Sequence, residues 1–139
     1  MNNPAEMYRR GATESAPPST LVLMLYRGAI QLSRLAAAAI ERKDIAAAHE
    51  HLVRAQSIIL TLRSGLRREM GPVTQSLDSV YEYLLRRLVE ANVAKDGAAA
   101  LEVASLLQGL LDSWREVLDN STASKRLVMR PGGSLDSQQ

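Results

Sequence analysis

The 139-residue chain contains no phenylalanine and no cysteine, and its aromatic side chains are limited to four tyrosines and one tryptophan. A core without Phe must be built from Leu, Ile, Val, Met and many alanines. That palette favours close-packed helices over a sheet, which calls for β-branched and aromatic residues. The lack of cysteine excludes disulfides and thiolate metal sites and suits a reducing compartment. The N-terminus, Met1-Asn2-Asn3-Pro4-Ala5-Glu6, lacks the basic-then-apolar pattern of a secretory signal. Read as runs of apolar residues, no stretch approaches the roughly 18–20 needed to span a bilayer, so the expectation is a cytoplasmic protein without membrane insertion.

Catalytic patterns are also missing. His49 and His51 are the only histidines, and two residues apart on a helix they diverge by about 200°, unlike the i, i+4 pair of a helical zinc site. There is no serine set with a histidine and a carboxylate, no glycine-rich phosphate loop and no Glu-x-x-His repeat of a di-iron bundle. The expectation is a non-enzyme with no metal and no cofactor. Charge is nearly balanced: residues 17–119 hold 12 Lys/Arg and 12 Asp/Glu. A folded surface binding nucleic acid should concentrate positive charge, so nucleic acid is not an expected partner. The surplus lies at the C-terminus, where Lys125, Arg126 and Arg130 face only Asp136.

What is present is apolar periodicity. Residues 1–16 are polar and small apart from Met7 and Tyr8, and read as a flexible arm able to dock through those two side chains. Pro17-Pro18 ends the arm and opens a helix over 18–41. Val22, Leu25, Ala29, Leu32, Ala36 and Ala39 form one stripe on it, and Leu23, Tyr26, Ile30 and Ala37 a second. Leu21, Met24, Leu35 and Ala38 form a third. The unbroken apolar run Leu21 to Tyr26 carries more apolar surface than one core-facing stripe needs, so part of it is available to the arm or to a partner.

Asp44 is the expected N-cap of a second helix whose seam is Ile45, Ala48, Leu52, Ala55, Ile59, Leu62 and Leu66. A turn over Gly65–Pro72 leads to a third helix with Val73, Leu77, Val80, Leu84, Leu88 and Ala91 inward and Tyr81, Leu85 and Val89 on its flank. Glu82 and Arg86 are spaced to pair on its exposed side. Lys95-Asp96-Gly97 reads as a glycine turn, followed by a fourth helix over 98–119 with Leu101, Ala104, Leu107, Leu111, Trp114 and Leu118 in register. Asn120-Ser121-Thr122 should end it, leaving 120–139 as a disordered tail. Four amphipathic helices on short turns predict an all-α, antiparallel up-down-up-down four-helix bundle over 17–119. Two functional readings come from this pattern alone: a signalling bundle that transfers phosphate through His51, or a plain helical oligomerisation module.

A third reading comes from resemblance. Leu23-Met24-Leu25-Tyr26-Arg27-Gly28-Ala29-Ile30, Lys43-Asp44-Ile45 with Ala55-Gln56-Ser57-Ile58-Ile59, Tyr81 through Asn92, and Trp114 resemble, in order and spacing, the FliS family of flagellar export chaperones. The one reversal of charge is Arg27, where the family carries an acidic residue. The resemblance implies a cytoplasmic helical bundle that holds the C-terminal segment of flagellin before export and docks, when loaded, on the export-gate protein FlhA. It also implies that the arm, through Tyr8, occupies part of the client surface of the empty chaperone; a weak homodimer is a further expected association. The client-binding or arm-docking candidates are Tyr8, Leu21, Leu23, Met24, Tyr26, Ile30, Tyr81 and Leu85.

Overall fold

The computed structural model describes residues 18–66 and 72–129, with side chains described within 20–66 and 73–120. Among the described residues there are four helices and no strand: α1 (Pro18–Glu41), α2 (Ile45–Ser64), α3 (Pro72–Ala94) and α4 (Gly97–Met129). Successive helices pack side by side and α4 returns to α1, closing a four-helix bundle; short connections make neighbours antiparallel. The arm (including Tyr8), the segment 67–71 and residues 130–139 lie outside the described residues.

Helix α1 is the best-covered strut because its contacts with α2 and α4 are the most extensive between helices in the bundle. Its buried positions come as adjacent pairs, Leu25/Tyr26, Ala29/Ile30, Leu32/Ser33 and Ala36/Ala37, so both of its first two stripes are core. The third stripe stays nearer the surface: Leu21 and Met24 are half-buried, and Leu35 and Ala38 are exposed. One sequence expectation is corrected here. The segment Thr20–Glu41 does have the length and mean hydropathy of a membrane-crossing helix, because before Glu41 its alanines and leucines meet only two charged residues, Arg27 and Arg34. The same composition serves a central core helix, whose alanines let two neighbours approach closely.

Both interior turns are built alike. Lys43 (φ 63°) and Lys95 (φ 51°) take the left-handed conformation at the ends of α1 and α3, while Asp44 N–H and Asp96 N–H reach back to Ala39 O and Ala91 O. Asp44 and Asp96 then cap the next helix, accepting from Ala47 N–H (3.2 Å) and from Ala98 and Ala99 N–H (3.0 and 3.3 Å). The expected glycine turn at Lys95–Gly97 is therefore a lysine turn, with Gly97 as the first residue of α4. A Cβ at Gly97 would meet Ala37 O of α1 at 3.7 Å, a close approach suited to a small residue.

Three further expectations shift. Ile45, Val73 and Leu101, placed in core seams by periodicity, are about half exposed. Ile45 and Val73 occupy first turns, which project past their neighbours. In α4 the alanines at 99 and 100 and Val103 take the contact with α1, and Leu101 is rotated outward. Arg86 lies over the Tyr83 ring, 5.4 Å from its centroid, and not on Glu82. Lastly, α4 does not end at Asn120 but continues to Met129. Asn, Ser and Thr are modest helix formers rather than breakers, and Pro131 is the first residue incompatible with continuation.

Gly109 is exposed within α4, and a Cβ there meets nothing within 4 Å. Gly109→Ala should therefore stabilise the bundle by about 0.5–1 kcal/mol, seen as a higher urea midpoint with an unchanged slope.

Candidate functional site

Among the described residues, the side of the bundle toward the start of α1 and the end of α2 is left open. Val22 and Leu25 of α1, Thr61 and Leu62 of α2, Gly65 and Leu66 beyond them, Leu77 and Tyr81 of α3 and Trp114 of α4 surround a predominantly apolar notch of about 250 Å³. The first turns of α1 and α3 and the last turn of α2 supply the rim, while Tyr81 and Trp114 come from the middle of α3 and α4.

The floor of the notch is polar. The Trp114 indole N–H donates to the Tyr26 hydroxyl at 3.0 Å, and the Tyr26 and Tyr81 hydroxyls share a hydrogen bond of 2.5 Å. Both tyrosines are almost fully buried, at 0 % and 2 % exposure, with rings 6.5 Å apart. Burial raises the pKa of each above its ordinary value; in Tyr26 the bonds from Tyr81 and Trp114 partly offset this, and in Tyr81 the neighbouring Tyr26 adds to it. Three donor hydrogens share two hydrogen bonds, so one hydroxyl hydrogen is left over. When Tyr26 donates to Tyr81, the spare hydrogen is on Tyr81, which lines the notch.

Two polar clamps hold α3, the helix opposite α1. Arg63 of α2 grips Asp78 through Nε (2.7 Å) and Nη2 (3.2 Å). On the other side Glu102 of α4 accepts from the Tyr83 hydroxyl (2.5 Å) and from Arg87 Nε (2.8 Å), while Arg87 Nη1 also holds Glu90 (2.7 Å). The Tyr83 hydroxyl first, and Arg87 with it, hold the Glu102 carboxyl below its ordinary pKa; Arg63 does the same for Asp78.

The sequence candidates are distributed unevenly over this geometry. Tyr26 and Tyr81 are brought together, but as buried network members; Ile30 is core at 4 % exposure. Leu21, Leu23, Met24 and Leu85 are half-buried. Sequence reasoning placed Val22, Leu62, Leu66, Leu77 and Trp114 in core seams, whereas they line the notch. Val22, Leu62, Leu66 and Leu77 share a position at one end of their helices, whereas Trp114 lies in the middle of α4 and carries no such signal. His51 is half-buried, and its Nδ1 is buried without a hydrogen-bond partner, a poor setting for phosphate transfer. Among the described residues no three His, Asp or Glu cluster as a metal site would require.

The fold and the site together define an all-α four-helix bundle with an apolar notch. A family profile described as "Flagellar protein FliS" matches residues 1–121. The chain is similar to the flagellar secretion chaperone FliS of Bacillus subtilis (strain 168), 35% identical over 86% of this chain and 90% of that one. It is likewise similar to that of Salmonella typhimurium (34%, covering 81% and 85%) and to FliSB of Pseudomonas aeruginosa (35%, covering 71% and 79%). The chain belongs to the FliS family of flagellar secretion chaperones.

Two outcomes test the network and the clamp. Tyr26→Phe removes the acceptor for Trp114 and the partner of Tyr81, and should cost about 1–3 kcal/mol in urea unfolding. A depressed carboxyl pKa contributes stability that is present above the unfolded value, about 4.3, and lost as pH falls through the folded one. Wild-type stability should therefore fall in acid below about pH 4.5, and Glu102→Gln should flatten that fall in a pH series of urea midpoints.

Proposed function

We propose that this chain is a cytoplasmic export chaperone that holds the C-terminal segment of flagellin, keeps it from premature polymerisation and delivers it to the flagellar export gate through FlhA. The observation that carries the reading is the open apolar notch, set in a protein of the FliS family. Helix α4 adds Leu106, Leu110 and Val117 along one outward line at i, i+4 and i+11, with Leu106 and Val117 exposed. Helix α3 adds Leu85, Val89 and Val93 at i, i+4 and i+8, with the latter two exposed. Such rows suit the apolar faces of helical client pieces, because the partner's own i, i+3 and i+4 residues match their spacing.

The client chemistry is complementary. Helices that pack into a filament present apolar faces, which associate wrongly when bare; covering them removes that surface from water at roughly 25 cal/mol per Å². The notch accepts a bulky apolar side chain of the client. No bond is made or broken, so release requires only a competing surface. Leu21, Leu23 and Met24, half-buried beside the notch wall, are the positions shared between the arm and the client.

Calorimetric titration of the full chain with a C-terminal flagellin peptide should give a complex with a negative heat-capacity change and a shift in Trp114 fluorescence. Leu77→Asp places an uncompensated charge in the notch and should weaken binding at least tenfold, with the helical circular dichroism preserved. Absence of binding by the wild-type chain at high peptide concentration overturns the reading.

A further inference from the structure

Between α1 and α4 lies a second depression, of about 550 Å³, lined by Arg27, Ile30, Gln31, Arg34, Leu35, Gln108, Leu111 and Arg115. At about 100° per residue, Arg27, Gln31 and Arg34 lie on the flank of α1 turned away from Val22 and Leu25, so this groove and the notch are separate surfaces. Its floor is apolar: Ile30 and Leu111 are buried beneath it and Leu35, of the outward stripe of α1, is 41% exposed at its edge.

Its rim is cationic. Arg27 and Arg34 are exposed, and among the described residues neither has a carboxylate partner. Arg115 reaches only Asp112, at 4.0 Å, and Asp112 already accepts from Gln108 at 3.1 Å. The groove thus sets three guanidiniums against one carboxylate, on a bundle whose charges otherwise balance. The contact of Trp114 with Tyr26 puts Arg115 and Arg27 at one end. Arg34 stands two helical turns, about 10 Å, further along α1.

We propose that this groove docks an acidic amphipathic helix of a partner protein. Its carboxylates, spaced about two turns apart, pair with Arg27/Arg115 at one end and with Arg34 at the other. An apolar side chain between them covers Ile30 and Leu111. Guanidinium forks pair carboxylates through two parallel hydrogen bonds, which lysines in these positions could not reproduce. The apolar floor selects a helix over a free anion, since a small anion gains nothing from Leu35, Ile30 or Leu111.

The test uses the full chain and a fluorescent helical peptide with two glutamates seven residues apart flanking a leucine, followed by anisotropy. The glutamate peptide should bind at least tenfold more tightly than its Glu→Gln counterpart, and binding should weaken as salt rises. Arg27→Gln with Arg34→Gln, both exposed substitutions, should weaken it at least tenfold with an unchanged melting temperature. Leu77→Asp should leave it intact, which separates this groove from the notch and from the flagellin reading. Equal binding of the glutamine peptide, or indifference to the arginine substitutions, overturns the proposal. So does tighter binding of single-stranded DNA or of vesicles containing anionic lipid through the same arginines.

Discussion

Everything in this bundle depends on α1 being buried from two sides at once. Every helix here has two neighbours, but α1 packs most extensively against both of its own, and the adjacent buried pairs from Leu25/Tyr26 to Ala36/Ala37 are its response. Alanine dominates the far half because two neighbours approach closely there, with Gly97 of α4 set against Ala37. Larger residues dominate the near half, where the helices part enough to leave a notch. The taper of side-chain size along one helix therefore sets where the protein is closed and where it is open.

The open end needs a device that keeps it defined, and the buried Tyr26–Tyr81–Trp114 network supplies one. Apolar packing alone tolerates rotation and sliding of helices. A hydroxyl shared across the bundle between α1 and α3, with an indole N–H arriving from α4, is satisfied in one register only. The clamps of Arg63 on Asp78 and of Glu102 on Tyr83 and Arg87 restrain α3 from either side. These contacts are partly exposed and contribute more to geometry than to stability. Together they hold the apolar notch in one defined geometry.

The two surfaces divide the chain's apolar surplus. Notch residues face the opening at the start of α1, and the outward stripe of α1 borders the arginine groove. Arg27, Arg34 and Arg115 give that groove its cationic rim. Trp114 and Arg115, consecutive on α4, serve one surface each.

Much of this was legible in the residues. Heptad-like spacing in Ala48, Leu52, Ala55, Ile59 and Leu62, the N-cap at Asp44 and the short turns dictate four antiparallel helices, since local periodicity and capping act within a few residues. The motifs around Tyr26 and Tyr81 were enough to place the family. Other features were beyond local pattern. Periodicity tells which face of a helix is apolar but not how far its neighbours extend, so Ile45, Val73 and Leu101 were assigned to a core they do not join. Nor does it reveal that α4 runs past Asn120, or that Leu62, Leu66, Leu77 and Trp114 meet around one notch. By itself the sequence determined the helices, their order and their apolar faces. Only tertiary packing decided that Tyr26 and Tyr81, 55 residues apart, share a hydrogen bond, and that Arg27, Arg34 and Arg115 share a groove. Both depend on the rotation and relative height of separate helices, which side-chain volumes set once the helices meet.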